Sequence, residues 1–220
     1  MLFRSVWRTL TEHWDGSSWS VVSAVDVGSA GNHFYAVKAN ASNDVYAVGQ
    51  SASAGFPNTA LIEHWDGRNW RVVASPADAA TALPLAVTAT SSSLTVVGQQ
   101  ETDTAPYTTY VAAGAMGPLT IQNTPNIANE ENDLFGVTIA IDGSVWAVGW
   151  ALDIAAGVHA PLILQRVNGV WSLVANPAFP GLDSGLESVT AVPGGGLWAV
   201  GVTTSGKSAA GYSTLIEYHP

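Results

Sequence analysis

Apolar and polar side chains alternate along most of the chain in short runs rich in Val, Ile, Thr and Trp, broken by Gly, Asn, Asp and Ser. A period of two is the pattern of strands with one face buried, and no stretch shows the longer period of an amphipathic helix of ten or more residues. The clearest stretch holds four such runs in succession: Leu134 to Ala140, Ser144 to Trp150, Ala160 to Val167 and Val170 to Ala175. Named A to D, they are joined in two ways. The A–B and C–D links are tight polar turns such as Asp142-Gly143, Asp66-Gly67 and Asn168-Gly169, whereas the B–C and D–A links are long. Tight turns between alternating runs predict antiparallel hairpins.

The same unit returns at intervals of about fifty residues. Its B strand ends as Ala47-Val48-Gly49, Val96-Val97-Gly98, Ala147-Val148-Gly149 and Ala199-Val200-Gly201. Its C strand reads LTEHWDG from Leu10, LIEHWDG from Leu61, LILQRVNG from Leu162 and LIEY from Leu215, with an eroded copy from Tyr110. A tryptophan recurs just beyond the C–D turn as Trp19, Trp70 and Trp171. One four-stranded sheet cannot bury both of its faces, but a row of them about an axis can, and that is a β-propeller. The expected fold is therefore all-β, one propeller domain over residues 1–220. It has about four blades, at residues 24–75, 76–123, 124–175 and 176–220. The N-terminal strands of residues 8–23 are expected to close the last blade. That assignment leaves one strand too many, because Arg8 to Trp14 and Ser213 to His219 compete for one C position. Either the ring closes with four blades or the chain is part of a larger propeller, with self-association if the ring is incomplete.

The best copy, Asp44 to Gly49 followed by Leu61 to Trp70, resembles kelch-like propellers, and more closely the bacterial repeats that read DVWAVG followed by LIEHWDGxxW. The likeness spans about residues 8 to 219. It implies a propeller at an extracellular or cell-surface site. The single glycine of strand B departs from the Gly-Gly pair of kelch repeats, and the adjacent Asp and Gly depart from the Asp-box of sialidase-type propellers.

Composition narrows the function classes. Seven Lys and Arg against 17 Asp and Glu give a net charge of −10, which repels polyanions and excludes nucleic acid as the expected partner. There is no cysteine, so disulfides, thiolate nucleophiles and Cys-ligated zinc are excluded. No uninterrupted apolar run approaches the length of a membrane span, and Met1 to Leu10 lacks the apolar core of a signal peptide.

Residues that recur at blade spacing, such as His13 and His64 or the D-strand tryptophans, are expected to do the same structural work in every blade, with Asp15 and Asp66 holding the turns. A binding site is expected from residues that do not recur. The long links emerge on one face and hold most of the acid, including Asp26, Asp78, Glu101, Asp103, Glu130, Glu131, Asp133, Asp153 and Asp183 against Lys207. Candidate ligand-binding residues there are Phe56, Asp103, Tyr107, Glu130, Glu131, Asp133, Trp150, Asp153 and His159. Aromatic and polar side chains in that mixture suit a sugar, and the acid suits a basic protein surface. The run Asn129 to Asp133 offers hard oxygen ligands, so Glu130, Glu131 and Asp133 are a candidate Ca²⁺ site, with no other cofactor expected. No G-x-S-x-G, H-E-x-x-H or phosphate-binding glycine loop is present. The expected role is thus a non-catalytic binding or scaffold propeller for a protein or carbohydrate. The alternative is a glycan-active or other hydrolytic enzyme using loop carboxylates, with Asp103, Glu130 and Asp153 as its candidates.

Overall fold

The structure is a computed structural model of the chain that describes residues 6–73, 81–102, 107–115, 118–176, 183–204 and 211–220. Its regular elements are strands, each paired antiparallel with a neighbour in sequence. A hairpin of β1 (Thr11–Trp14) and β2 (Trp19–Val22) comes first. Blade I contains β3 (Gly31–Ala41), β4 (Asp44–Ala52), β5 (Thr59–Trp65) and β6 (Trp70–Val72). Blade II contains β7 (Ala82–Ala89), β8 (Ser93–Gln100), β9 (Thr108–Ala115) and β10 (Thr120–Ile121). Blade III contains β11 (Glu130–Ile139), β12 (Val145–Asp153), β13 (Val158–Val167) and β14 (Val170–Leu173). Blade IV has three strands, β15 (Ser184–Ala191), β16 (Leu197–Thr204) and β17 (Tyr212–His219). The propeller expectation holds, and no helix among the described residues is long and apolar enough to cross a membrane.

The cores lie between blades, as the two-faced burial argument requires. Tyr46, Val48 and Ile62 of blade I pack with Val87, Val96 and Tyr110 of blade II. Val97 and Val111 of blade II meet Leu134, Ala147 and Leu164 of blade III, and Val148 of blade III meets Leu186 and Leu215 of blade IV. Each blade thus has a face toward the preceding blade, here called leading, and a trailing face toward the next.

The recurring Val-Gly has a steric cause. All four inner strands share a register slip at the equivalent place, between Phe34 and Ala36, Pro84 and Ala86, Leu134 and Gly136, and Leu186 and Ser188. This bulge pushes the backbone against the neighbouring strand. A Cβ on Gly49, Gly98, Gly149 or Gly201 would overlap the carbonyl oxygen of His33, Leu83, Asp133 or Gly185 respectively. Only glycine fits, and the residue beside it differs in every blade.

The turn aspartates behave as the repeat rule expects. Asp66 Oδ1 accepts the Arg68 and Asn69 amides, and Asp15 Oδ1 those of Ser17 and Ser18. His64 is held structurally, with Nε2 2.8 Å from Asp44 Oδ1 and its ring 4.6 Å from that of Tyr46.

The expected closure by residues 8–23 is not formed. Strand β2 pairs with β1, and among the described residues blade IV ends at β17. The hairpin has the register of β5–β6, with Glu12 opposite Val21 and Trp14 opposite Trp19 as Glu63 is opposite Val72 and Trp65 opposite Trp70. It therefore matches in register the C–D half of a blade. Local bonds tie its flanks to blade I or to one another: buried Glu63 accepts the Val25 amide at 3.1 Å, Asn32 donates its amide to the Trp7 carbonyl, and Asp26 pairs with Arg8 at 2.9 Å. A cavity of about 530 Å³ separates the hairpin from the inner strands of blade I, lined by Leu10, Val22, Phe34, Val37 and Trp70 among others.

Candidate functional site

The rule that a site uses non-recurring residues leads to the position shortly before each bulge, whose carbonyl faces the strand-B glycine and which is occupied by His33, Leu83, Asp133 and Gly185 in the four inner strands. Only in blade III does it carry a carboxylate. The preceding residue, Asn132, does structural work that Asn32 repeats in blade I. Its Oδ1 accepts the Ile127 amide at 2.8 Å, as Asn32 Oδ1 accepts that of Gly28 at 2.8 Å.

Asp133 is only 6% exposed. Its Oδ2 accepts the Trp150 indole N–H at 3.2 Å, and its Oδ1 is buried without a partner. Burial is the main reason its carboxyl is pushed up, and the nearby Glu131 charge adds to this. The Trp150 bond and His159 pull the other way, leaving the group at about 6. A carboxyl that titrates there is one that can hold or release a proton near neutrality.

Its neighbours come from the same ends of adjacent strands. Trp150 lies directly across from Asp133 on β12, and its ring is 4.1 Å from Phe135 and 5.3 Å, edge-on, from His159 at the start of β13. Asp183, just before β15, accepts both the His159 amide at 2.7 Å and its Nδ1 at 2.8 Å. Burial raises the Asp183 carboxyl, but these His159 bonds outweigh it and hold the group below the usual carboxylate range. Two carboxyls near one imidazole are thus driven in opposite directions. Gly185 completes the arrangement, because a Cβ there would stand 2.6 Å from Trp150 Cε3.

Of the residues expected from sequence, the fold gathers Asp133, Trp150 and His159, with Glu131 close enough to act on Asp133 electrostatically. Asp153 instead caps a turn, its Oδ1 accepting the Ala155 and Ala156 amides. Glu130 pairs across from Asp153, and its carboxyl is raised first by burial and then by that charge. Tyr107 contributes its carbonyl to the Asn132 amide. Phe56 is exposed on the β4–β5 loop of blade I, and Asp103 lies outside the described residues. Residues 130–133 are not loop but the first turns of the β11 ladder, so alternation sends Glu130 to the face opposite Glu131 and Asp133. Among the described residues no three His, Asp or Glu side chains gather to hold a metal, the proposed Ca²⁺ ligands included. Asp183 was visible only as one acid among many, and Phe135 and Gly185 carried no sequence signal beyond not recurring.

No family model matches the chain, and no curated protein matches it. Solved structures do. A thermostable family-43 glycoside hydrolase aligns over 84% of this chain and 71% of its own, at 11% identity and a TM-score of 0.48. An endo-arabinase from Bacteroides thetaiotaomicron aligns over 80% and 70%, at 10% identity and 0.45. An arabinanase from Bacillus subtilis aligns over 83% and 69%, at 14% identity and 0.42. These findings correct two expectations: the neighbours are glycoside hydrolases rather than kelch-like repeat proteins, and they are enzymes rather than non-catalytic scaffolds. The propeller assignment itself rests on the strand order and the inter-blade cores.

Proposed function

We propose that the chain is a glycan-active hydrolytic propeller in which Asp133 is the proton-transferring carboxyl. The observation that supports this reading is the buried, proton-retaining Asp133 beside the indole of Trp150, with Asp183 kept ionised through His159. A carboxyl titrating near 6 gives its proton to a leaving glycosidic oxygen and recovers it from water in the same pH range. Carboxyls driven apart by their surroundings are the pattern on which acid and base roles divide. Because Oδ1 is closed off, the leaving oxygen approaches on the Oδ2 side, next to the Trp150 ring, whose face offers a stacking surface for a sugar. The net charge of −10 favours neutral over acidic polymers.

The test is release of reducing ends from a panel of neutral polysaccharides, arabinan and xylan among them, by the purified chain. Turnover should fall as pH rises through about 6, where Asp133 loses its proton. Asp133→Asn should lower it by at least a hundredfold, the usual size of a lost general acid. Turnover unchanged in that variant, or none on any polymer, overturns the reading.

A further inference from the structure

Three of the four blades carry a pair of large side chains at one level of the trailing face, across strands B and C: Tyr46 with His64, Trp146 with Gln165 and Trp198 with Tyr218. Blade II has Thr95 with Ala113 there. Where a blade follows, the large pair is packed. Tyr46 shares a core with Leu94 of blade II, and the ring of Trp146 is 4.9 Å from that of His219 on blade IV. Beside Thr95 and Ala113 the same space stands open, as a cavity of about 570 Å³ between blades II and III. Both blades that wall it have all four strands.

Arg166 of β13 lines this cavity from blade III, at the position that Trp65 holds in blade I and His219 in blade IV. It is the one Lys or Arg between Arg71 and Lys207 in the sequence, and it forms no ion pair among the described residues. Its Nε is buried without a partner. Buried donors are ordinarily satisfied, so an unmet one marks the place of a missing acceptor. The rest of the polar wall is mainly hydroxyl: Thr90 and Ser93 at the A–B turn of blade II, Thr95, and Thr120 beside Gln122 at its outer edge. No carboxylate or aromatic ring among the described residues lines the cavity. Asp142, in the adjoining A–B turn of blade III, is turned onto the amide and hydroxyl of Ser144.

We propose that this cavity is a binding site for a small sugar acid, a single-ring polyhydroxy carboxylate, separate from the Asp133 site. The planar guanidinium suits a carboxylate, which supplies the acceptor that Nε lacks. Hydroxyls both donate and accept, as the hydroxyls of a sugar do. The volume lies within the range of about 300–1,000 Å³ usual for small-molecule sites. With no ring to stack on, recognition is by charge and hydrogen bonds, which selects a polyol over an aromatic acid. The two sites lie at opposite ends of blade III. Arg166 is opposite Val145 and Asp133 is opposite Trp150, five residues along β12, or about 17 Å. The cavity therefore binds its ligand whether or not Asp133 transfers a proton.

The test is calorimetric titration of the chain with sodium D-glucuronate and sodium D-galacturonate, with D-glucose as the neutral counterpart and inorganic phosphate as the bare anion. One of the two sugar acids should bind one to one, at least tenfold more tightly than glucose or phosphate. Arg166→Leu should weaken it at least tenfold. Thr95→Tyr, which restores the ring that blade I carries at this level, should do the same by filling the cavity, and unchanged circular dichroism and melting would show that both variants fold. Asp133→Asn should bind as the wild type does, which separates this site from the proposed hydrolytic one. Binding of neither sugar acid, phosphate bound as tightly as the sugar acid, an affinity unchanged by Arg166→Leu or Thr95→Tyr, or loss of binding in Asp133→Asn overturns the proposal.

Discussion

At the scale of single residues, Asp133 carries both the proposed chemistry and a cost to the fold. Its carboxyl is raised from 3.8 to about 6, so the unfolded chain gives up this proton before the folded one does. The contribution of Asp133 to stability is therefore full below about pH 4 and is lost as pH rises through about 6. Asp133→Asn keeps an acceptor for the Trp150 indole and removes the buried charge. Thermal melts should show the variant gaining on the wild type between pH 4 and 7, and a difference that does not change with pH would mean that Asp133 titrates normally. Gly185 is the second telling residue. Its Cβ would strike Trp150, so Gly185→Ala should displace the indole, weaken its bond to Asp133 and cost about 1–3 kcal/mol as an overpacked contact. The pH midpoint of activity should move upward with it, because the Trp150 bond is one of the influences holding Asp133 down. A purely structural role for Gly185 would lower stability and leave that midpoint in place. Asp133, Trp150 and His159 were all legible in the sequence as non-recurring residues at one end of the strands. Asp183 was not, since nothing in a sequence shows that a carboxylate some two dozen positions on closes over the amide and ring of His159.

At the scale of the strand and its neighbours, the repeat was legible because its two markers are mechanical. Val-Gly marks the bulge and Asp-Gly marks the C–D turn, and any blade of this geometry needs both. For that reason the motifs revealed the blade and misdirected the family: close approach of backbones and turn chemistry say nothing about what a propeller does. The boundaries erred in one direction. Strand β11 begins at Glu130 rather than near Leu134, since a charged run reads as solvated loop, yet its backbone pairs with β12 out to Asp153. Two glycines of blade III separate the causes that sequence cannot. At Gly149 a Cβ would overlap the Asp133 carbonyl, whereas Gly143 has open space around it and a φ of +82°. Gly149→Ala should therefore cost at least about 2 kcal/mol by forcing the strands apart, and Gly143→Ala only about 1 kcal/mol of backbone strain. Denaturant midpoints give the order directly, and equal costs would remove the steric account of the motif.

At the scale of the whole molecule, net charge governs what can approach the chain. The sequence predicts a face rich in carboxylates that suits a basic partner, a contact that rising salt would weaken. In the fold several of those carboxylates are engaged locally, Asp26 with Arg8, Asp153 in its turn and Asp183 with His159. The net charge of −10 remains, and its repulsion of an acidic polymer is screened within about 8 Å at physiological ionic strength. Raising sodium chloride from about 0.05 to about 0.5 M should therefore leave turnover of a neutral polysaccharide unchanged and raise any turnover of an acidic one. Reducing-end assays at the two salt concentrations check this, and turnover of a neutral polymer that falls with salt would mean that charge contacts hold the substrate.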